Sequence, residues 1–465
     1  MSIWLIFLDF DRYHLKALSI EWITMKTTTF RGSSRAALLR TSLGLSAAML
    51  LGSAYAVEYG PFTLNGFVKA EATLASNQCS DCQRFPNEGK QRLWADELVP
   101  GKSYGTKSTS VGLFQPWLGA NFDLGQGYKL SGLLSQRWRD GKPDVEGISW
   151  FEKNVAISHE EWGSVRVGAM TTRAWSMADY PYGTDIGIAY PWAGSGAGYG
   201  LMTNAVRYTS RPFDVLSGDL VLEATYDRGN TDFTIHKPRF LELWAQYRKG
   251  DLALDAMVQD SRNGTPSAWG QTPFNGLTPF AADDARLGGS GQGITMLMAR
   301  YDIDPRWQVS AGVRFNRWSG AYAVITRDQT STSPAIWNNM FNVDWNGALR
   351  GVQNPGYAAT SQDFSLGVRH KNEEWTYSAG LVRLGKASTS NPSERGQSNG
   401  MTLLTAGVGK ELAPGWRAYA MAGLVSYDRL GLAPMSMPSN SAFTGVDSRI
   451  ARTGNWIGLG TVYTF

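Results

Sequence analysis

The residues of this chain that could do chemistry are mostly charged, and their spacing is regular. Lys69, Arg137, Arg166 and Arg207 each stand in a short alternating segment: Val68-Lys69-Ala70, Gln136-Arg137-Trp138, Val165-Arg166-Val167 and Val206-Arg207-Tyr208. In period two, a cation faces the opposite way from its two neighbours. The chemistry this predicts is electrostatic: charges on a wetted face that set a local potential. Bond-breaking chemistry is not predicted. His14 falls in the leader described below, and His159, His236 and His370 fall at strand ends or in loops, without a defensible nucleophile–base spacing. The two cysteines, Cys79 and Cys82, are spaced C-x-x-C in a polar stretch. In an exported chain this predicts a small loop disulfide. A zinc site would need two further ligands, and a redox motif would need a strand–helix context. No metal or cofactor is predicted.

The elements that must position these charges are strands. The last eleven residues read NWIGLGTVYTF. Ile457, Leu459, Thr461, Tyr463 and Phe465 share one face, and Gly458, Gly460, Val462 and Thr464 share the other. Such alternation marks a strand between two different solvents. The pattern recurs along the chain. In 62–73, Leu64, Gly66, Val68 and Ala70 oppose Asn65, Phe67, Lys69 and Glu71. In 128–139, Tyr128, Leu130, Leu134 and Trp138 oppose Lys129, Ser131, Ser135, Arg137 and Arg139. In 306–318, Trp307, Val309, Ala311, Val313 and Phe315 oppose Gln308, Ser310, Arg314 and Asn316. Further strands are predicted at 111–124, 151–159, 163–167, 206–208, 220–227, 241–248, 252–259, 293–302, 362–370, 374–385, 400–410, 415–428 and 455–465.

Composition fits this reading. With 18% charged and 12% aromatic residues the chain is not disordered. Beyond the leader, no apolar run reaches the roughly 18 residues a helical membrane span needs. Membrane-spanning strands escape such a count, because their lipid-facing residues alternate with polar ones. The N-terminus reads as a leader: Lys26, Arg31, Arg35 and Arg40 precede an apolar run from Leu43 to Leu51, and Ala54-Tyr55-Ala56 supplies small residues for cleavage after Ala56. Residues 1–24 precede a better start at Met25 and read as a start-site artefact. Residues 1–56 carry six of the 44 Lys/Arg and three of the 40 Asp/Glu, which leaves 38 against 37. The remainder is near neutral, so a nucleic-acid-binding surface is not predicted.

The connections alternate. Short ones fall at 125–127, 160–163, 249–251, 302–305, 371–373 and 411–414; long ones fall at 74–110, 174–201, 261–292, 319–361, 386–399 and 429–454. Long loops gathered at one end suit a transmembrane antiparallel β-barrel, with short periplasmic turns and long extracellular loops. About sixteen strands are predicted, or about eighteen if 319–361 holds another hairpin.

Over residues 57–465 the chain resembles the Gram-negative outer-membrane general porins, in its leader, strand number, loop alternation and terminal Phe465. The resemblance implies an outer-membrane location, contact with outer-membrane lipid and lipopolysaccharide, and a homotrimer. It also implies recognition of Phe465 by the barrel-assembly machinery. It implies passive diffusion of small hydrophilic solutes; enzymatic activity is not expected, because the histidines lack a nucleophile–base spacing. In those porins the third long loop folds inward and narrows the pore. Here that slot is 174–200, with Asp179 and Asp185 as its acids and Tyr182 among its aromatics, though the usual short acidic motif is absent. Lys69, Arg137, Arg166 and Arg207 would form the facing basic wall. Four cations against two acids predict a mildly anion-preferring constriction. A substrate-selective channel for organic acids or aromatic compounds is an alternative, and a secreted soluble β-propeller or sandwich lectin is another.

Overall fold

The computed structural model describes residues 56–76, 108–143, 150–173, 200–229, 234–266, 277–279, 289–320, 358–386, 388–389, 400–428 and 453–465. Within these, sixteen long strands form one wall. They are β1 (Phe62–Ser76), β2 (Ser108–Gly125), β3 (Tyr128–Ser135), β4 (Glu152–His159), β5 (Gly163–Thr171), β6 (Leu201–Thr209), β7 (Gly218–Asp227) and β8 (Arg239–Lys249). There follow β9 (Leu252–Arg262), β10 (Ser290–Asp302), β11 (Trp307–Gly320), β12 (Ala359–Asn372), β13 (Trp375–Leu384), β14 (Met401–Ala413), β15 (Trp416–Tyr427) and β16 (Thr453–Thr464). Each pairs antiparallel with the next, and β16 returns to pair with β1 from Phe67↔Thr464 to Ser76↔Asn455.

The sheet is therefore closed. This overturns the propeller and sandwich alternatives, which need separate blades or two sheets. It also settles the strand number at sixteen. β11 pairs directly with β12, from Trp307↔His370 to Trp318↔Ala359, so nothing between them adds a stave.

Each strand has two unlike faces. On β7, Leu222 and Tyr226 lie exposed outside while Glu223, Thr225 and Asp227 are buried inside. Leu130 and Leu134 on β3, Val155 and Ile157 on β4, Leu297 on β10, Leu366 on β12, Leu404 on β14 and Ile457 and Leu459 on β16 continue the outward apolar band. In water a continuous band of this kind would be a large exposed patch. In lipid it is the stable arrangement, because closure satisfies the strand-ladder hydrogen bonds. Next to the short turns, Tyr301, Trp307, Trp375 and Tyr377 stand exposed on the same outer face, with the His370 ring 4.2 Å from that of Trp307. Amphipathic rings at such a level form an interfacial belt.

The closing strand is locked at its end. Gly66 N–H donates to Phe465 O at 2.9 Å, and Phe465 N–H donates to Gly66 O at 3.0 Å. The Phe465 ring stacks on Phe114 and Tyr463. A Cβ on Gly66 would come within 2.9 Å of that ring and 2.5 Å of Gln115 O, so a glycine is required there.

Two details depart from the simple alternation. The strand expected at 128–139 stops at Ser135. Gln136 and Arg137 are both buried, so period two fails, and Trp138–Arg139 then re-pair with Phe114 and Leu113. The inner face is also less polar than expected. Met257, Met296, Val382, Leu384, Met401, Leu403, Val425 and Trp456 are buried on the inward parity.

Candidate functional site: a charged ladder on the inner wall

Strand register aligns Ala156, Arg166, Arg207, Thr225, Glu242 and Gln259 as successive cross-strand partners on β4 to β9. Arg166 and Arg207 stand directly opposite each other, a like-charge pairing that costs energy unless acids are near. Acids are near. Arg207 Nε donates to Thr225 Oγ1 at 2.8 Å and lies 3.1 Å from Glu223 Oε1. Its Nη2 donates to Thr171 O at 2.8 Å and lies 3.5 Å from Glu242 Oε1. Arg166 Nη1 donates to the neutral Asn154 Oδ1 at 2.5 Å.

A third arginine completes the group. The register of β5 shifts between Gly168 and Met170, a bulge that carries the following residues onto a new parity. Arg173, just beyond, forks onto Glu223: Nε donates to Oε1 at 2.6 Å, and Nη2 pairs with Oε2. Its main-chain N–H donates to both Glu242 oxygens, at 2.9 and 3.1 Å, and its guanidinium lies 4.6 Å from the Trp244 ring centroid. Glu242 also accepts from Gln259 Nε2 at 2.5 Å, and Glu223 from Thr209 Oγ1 at 2.7 Å. Glu152 accepts from the N–H and hydroxyl of Thr171, each at 3.2 Å. The wall is thus a lattice in which carboxylates and guanidiniums share partners. Among the described residues no group of three or more His, Cys, Asp and Glu could hold a metal ion. Such a lattice can fix a pattern of opposite charge on the inner wall, the kind of field that orients dipoles and sorts ions.

The four expected cations fall into two groups. Arg166 and Arg207 belong to the ladder. Lys69 is opposite Leu113, and Arg137 Nη1 reaches Gln115 Oε1 at 3.5 Å, so both lie beside β2. Arg137 is six residues along the chain from Ser131, whose partner Ala156 faces Arg166. At about 3.3 Å per strand residue, the stretch from Ser131 to Ser135 alone spans roughly 13 Å. Lys69 has its own acid, Glu71, at 3.9 Å, and the Tyr419 hydroxyl donates to Glu71 Oε2 at 2.8 Å. Asp179, Tyr182 and Asp185, and Cys79 and Cys82, lie outside the described residues. The base of the segment 174–199 is described: Thr172 N–H donates to Gly200 O at 2.9 Å, and Gly200 N–H to Thr172 Oγ1 at 3.2 Å. Beside it, Met170, Met202, Ala205 and Phe240 form a buried inward cluster.

Alternation within 220–227 and 241–248 puts Glu223 and Glu242 opposite Leu222 and Leu241, but gives them no role, and Arg173 is missed. The acids could have been found by asking which inward residues oppose Arg207. Arg173 could not, because the bulge hides its parity. A second inward charge site also went unassigned. Arg314 on β11 lies opposite Asp363 on β12, donating from Nε at 2.9 Å and Nη2 at 2.8 Å to Asp363 Oδ2.

A closed sixteen-stranded barrel with a lipid-type exterior and a charged interior is the outer-membrane porin fold. Comparison with known proteins agrees. A chitoporin of Vibrio furnissii is 30% identical over 87 residues, 18% of this chain; the match spans 23% of that relative's length. The anion-selective porin from Comamonas acidovorans superposes with a TM-score of 0.54 at 12% identity, over 87% of this chain and 99% of that one. The trimer form of OmpT, an outer-membrane protein of Vibrio cholerae, superposes with a TM-score of 0.53 at 14% identity, over 88% of this chain and all of that one. No family's sequence profile matches the chain.

Proposed function

We propose that the protein is an outer-membrane porin of a Gram-negative bacterium, through which small hydrophilic solutes diffuse passively. The observation that carries this is the closed barrel whose inner wall bears the Arg166–Arg173–Arg207 and Glu152–Glu223–Glu242 lattice. Charge on that scale inside a lipid-clad wall is stable where it faces the barrel interior and the charges pair with one another. Short turns face the periplasm and long loops the exterior. Residues 1–56 are removed on export, and 57–465 form the barrel. The segment 174–200 folds inward, with Asp179, Tyr182 and Asp185 against the ladder; the pinned base at Thr172 and Gly200 and the apolar cluster beside it support this. A mild anion preference rests on Arg166, whose hydrogen-bond partner Asn154 is neutral. The homotrimer rests on likeness to the trimeric OmpT form, and the role of Phe465 in assembly rests on its closing contacts. The reading is of a channel and not of an enzyme.

A substrate-selective channel is the second reading. The stacking of Arg173 over Trp244 favours it, because an aromatic face beside fixed charge suits a solute with both characters. Liposome swelling tests both. Purified protein should admit small sugars at rates that fall smoothly with size. Rates that saturate for one solute class would favour the selective reading, and no swelling from folded, inserted protein would overturn both.

A further inference from the structure

The outer face carries charge at one level that the channel reading leaves unused. Asp260 and Arg262 at the long-loop end of β9, and Arg317 at the same end of β11, share the outward parity of Val258 and Phe315. Register sets Asp260 opposite Gly293 and Gly293 opposite Arg317, so the three charges span β9 to β11. Arg262 Nε lies 3.1 Å from Asp260 Oδ2, and Arg317 Nη2 pairs with Asp260 Oδ1. Arg317 reaches that carboxylate by lying across Gly293, where a Cβ would collide with its Nε.

Among the described residues two guanidiniums thus flank one carboxylate, leaving one positive charge over. Both side chains are largely exposed, Arg262 by 51% and Arg317 by 60%. They sit directly above the apolar band, where Val258, Leu297 and Phe315 are exposed. Thr360, exposed and opposite Arg317 in the register of β12, adds a hydroxyl. A similar outward pair, between β13 and the residue just after β15, differs in one respect. Arg383 forks onto Asp428, with Nη1 at 2.7 Å from Oδ1 and Nη2 paired with Oδ2, so a single guanidinium takes both carboxylate oxygens.

We propose that Arg262 and Arg317 form a clamp for the phosphate group of a lipid headgroup in the leaflet that meets the long loops. Guanidiniums bind phosphate through paired N–H donors. A charge at the edge of the hydrocarbon has headgroup oxygens within reach, whereas one deeper in does not. Asp260 holds the two guanidiniums a fixed distance apart, and Gly293 keeps Arg317 flat against the sheet. The proposal rests on the barrel being membrane-embedded.

Native mass spectrometry of the detergent-purified barrel tests it. The probes are diphosphorylated lipid A, its dephosphorylated form and inorganic phosphate. Wild type should retain the phosphorylated lipid, and Arg262→Gln/Arg317→Gln should retain roughly thirtyfold less, the effect of removing two surface cations. Arg383→Gln should change retention less than twofold. Gly293→Val should weaken retention while Arg262 and Arg317 remain. Equal retention by wild type and the double variant, or retention of inorganic phosphate and dephosphorylated lipid as strong as that of the phosphorylated lipid, would overturn the clamp. Heat-dependent migration of the same samples reports the folded barrel. If wild type lacks it, the barrel reading fails and the clamp with it; if it is present and retention is unchanged, the clamp alone fails.

Discussion

The ladder of β5 to β8 and the Arg314–Asp363 site of β11 and β12 use the same residue types on the same inner wall, yet they are built differently. In the ladder the charges share partners. Glu223 is held by Arg173, Arg207 and Thr209, and Glu242 by Arg173, Arg207 and Gln259. At the second site both side chains are 0% exposed, and one guanidinium supplies the cation for Asp363. Asn316 Nδ2 and Gly385 N–H add neutral donors to that carboxylate, at 2.7 and 2.9 Å. The difference teaches how a charge survives on such a wall. A shared carboxylate tolerates the loss of one donor, whereas a carboxylate with one buried cation does not.

That contrast can be broken by mutation. Arg314→Leu should have the largest effect, about 3–5 kcal/mol of barrel stability, because it leaves a buried carboxylate without its cation. The temperature at which the folded band is lost on electrophoresis reads this. Arg314→Met/Asp363→Leu should recover most of the loss. If the double variant is as unstable as the single, the site matters for something other than charge matching. Arg207→Leu should cost less, about 1–3 kcal/mol, since Glu223 keeps Arg173 and Glu242 keeps the Arg173 N–H and Gln259. A loss equal to that of Arg314→Leu would erase the distinction between the two regions.

Much of this was legible in the sequence, and the rest fails for identifiable reasons. Period two assigned Lys69, Arg166, Arg207 and Arg314 to the inner face, because side chains alternate across a strand whatever its neighbours do. It could not assign height. Barrel strands are tilted and staggered, so residues of one parity on different strands lie at different levels. That is why Lys69 and Arg137 were grouped with Arg166, from which register separates them. Local irregularity hid the remainder: the bulge between Gly168 and Met170 re-aims Arg173, and the break at Gln136 and Arg137 shortens β3. Met257, Met296 and Leu403 were invisible as inner-wall residues, because an apolar side chain on a strand reads as lipid-facing unless its parity is tracked.

Smaller effects sharpen the account. Arg166→Gln should leave stability nearly unchanged, since its partner Asn154 is neutral, and should shift reversal potential towards cations. Arg314→Met/Asp363→Leu, which removes a charge pair with no net change, should shift it less. The smallest effect belongs to a site away from both regions. In the short turn before β11, Asp304 accepts hydrogen bonds from the N–H groups of Arg306 and Trp307, at 2.7 and 2.8 Å, and these hold its carboxyl below the ordinary aspartate value of 3.8. A lowered folded-state value stabilises the fold above the unfolded value and loses that contribution as pH falls through the folded one. Wild type and Asp304→Asn should therefore differ slightly at neutral pH and converge only below about pH 4. Convergence at pH 6 would assign the effect to another group.

The most direct test of the central claim is electrical. The purified protein is inserted into planar bilayers under a salt gradient, and single-channel steps and reversal potential are recorded for wild type and Arg166→Gln. The account predicts open, stepwise conductance that rises with bulk salt conductivity, and a reversal potential that the substitution moves towards cations. That shift should shrink at 1 M salt, where the Debye length is about 3 Å. A folded, inserted barrel that passes no current, or one whose reversal potential ignores Arg166, would contradict it.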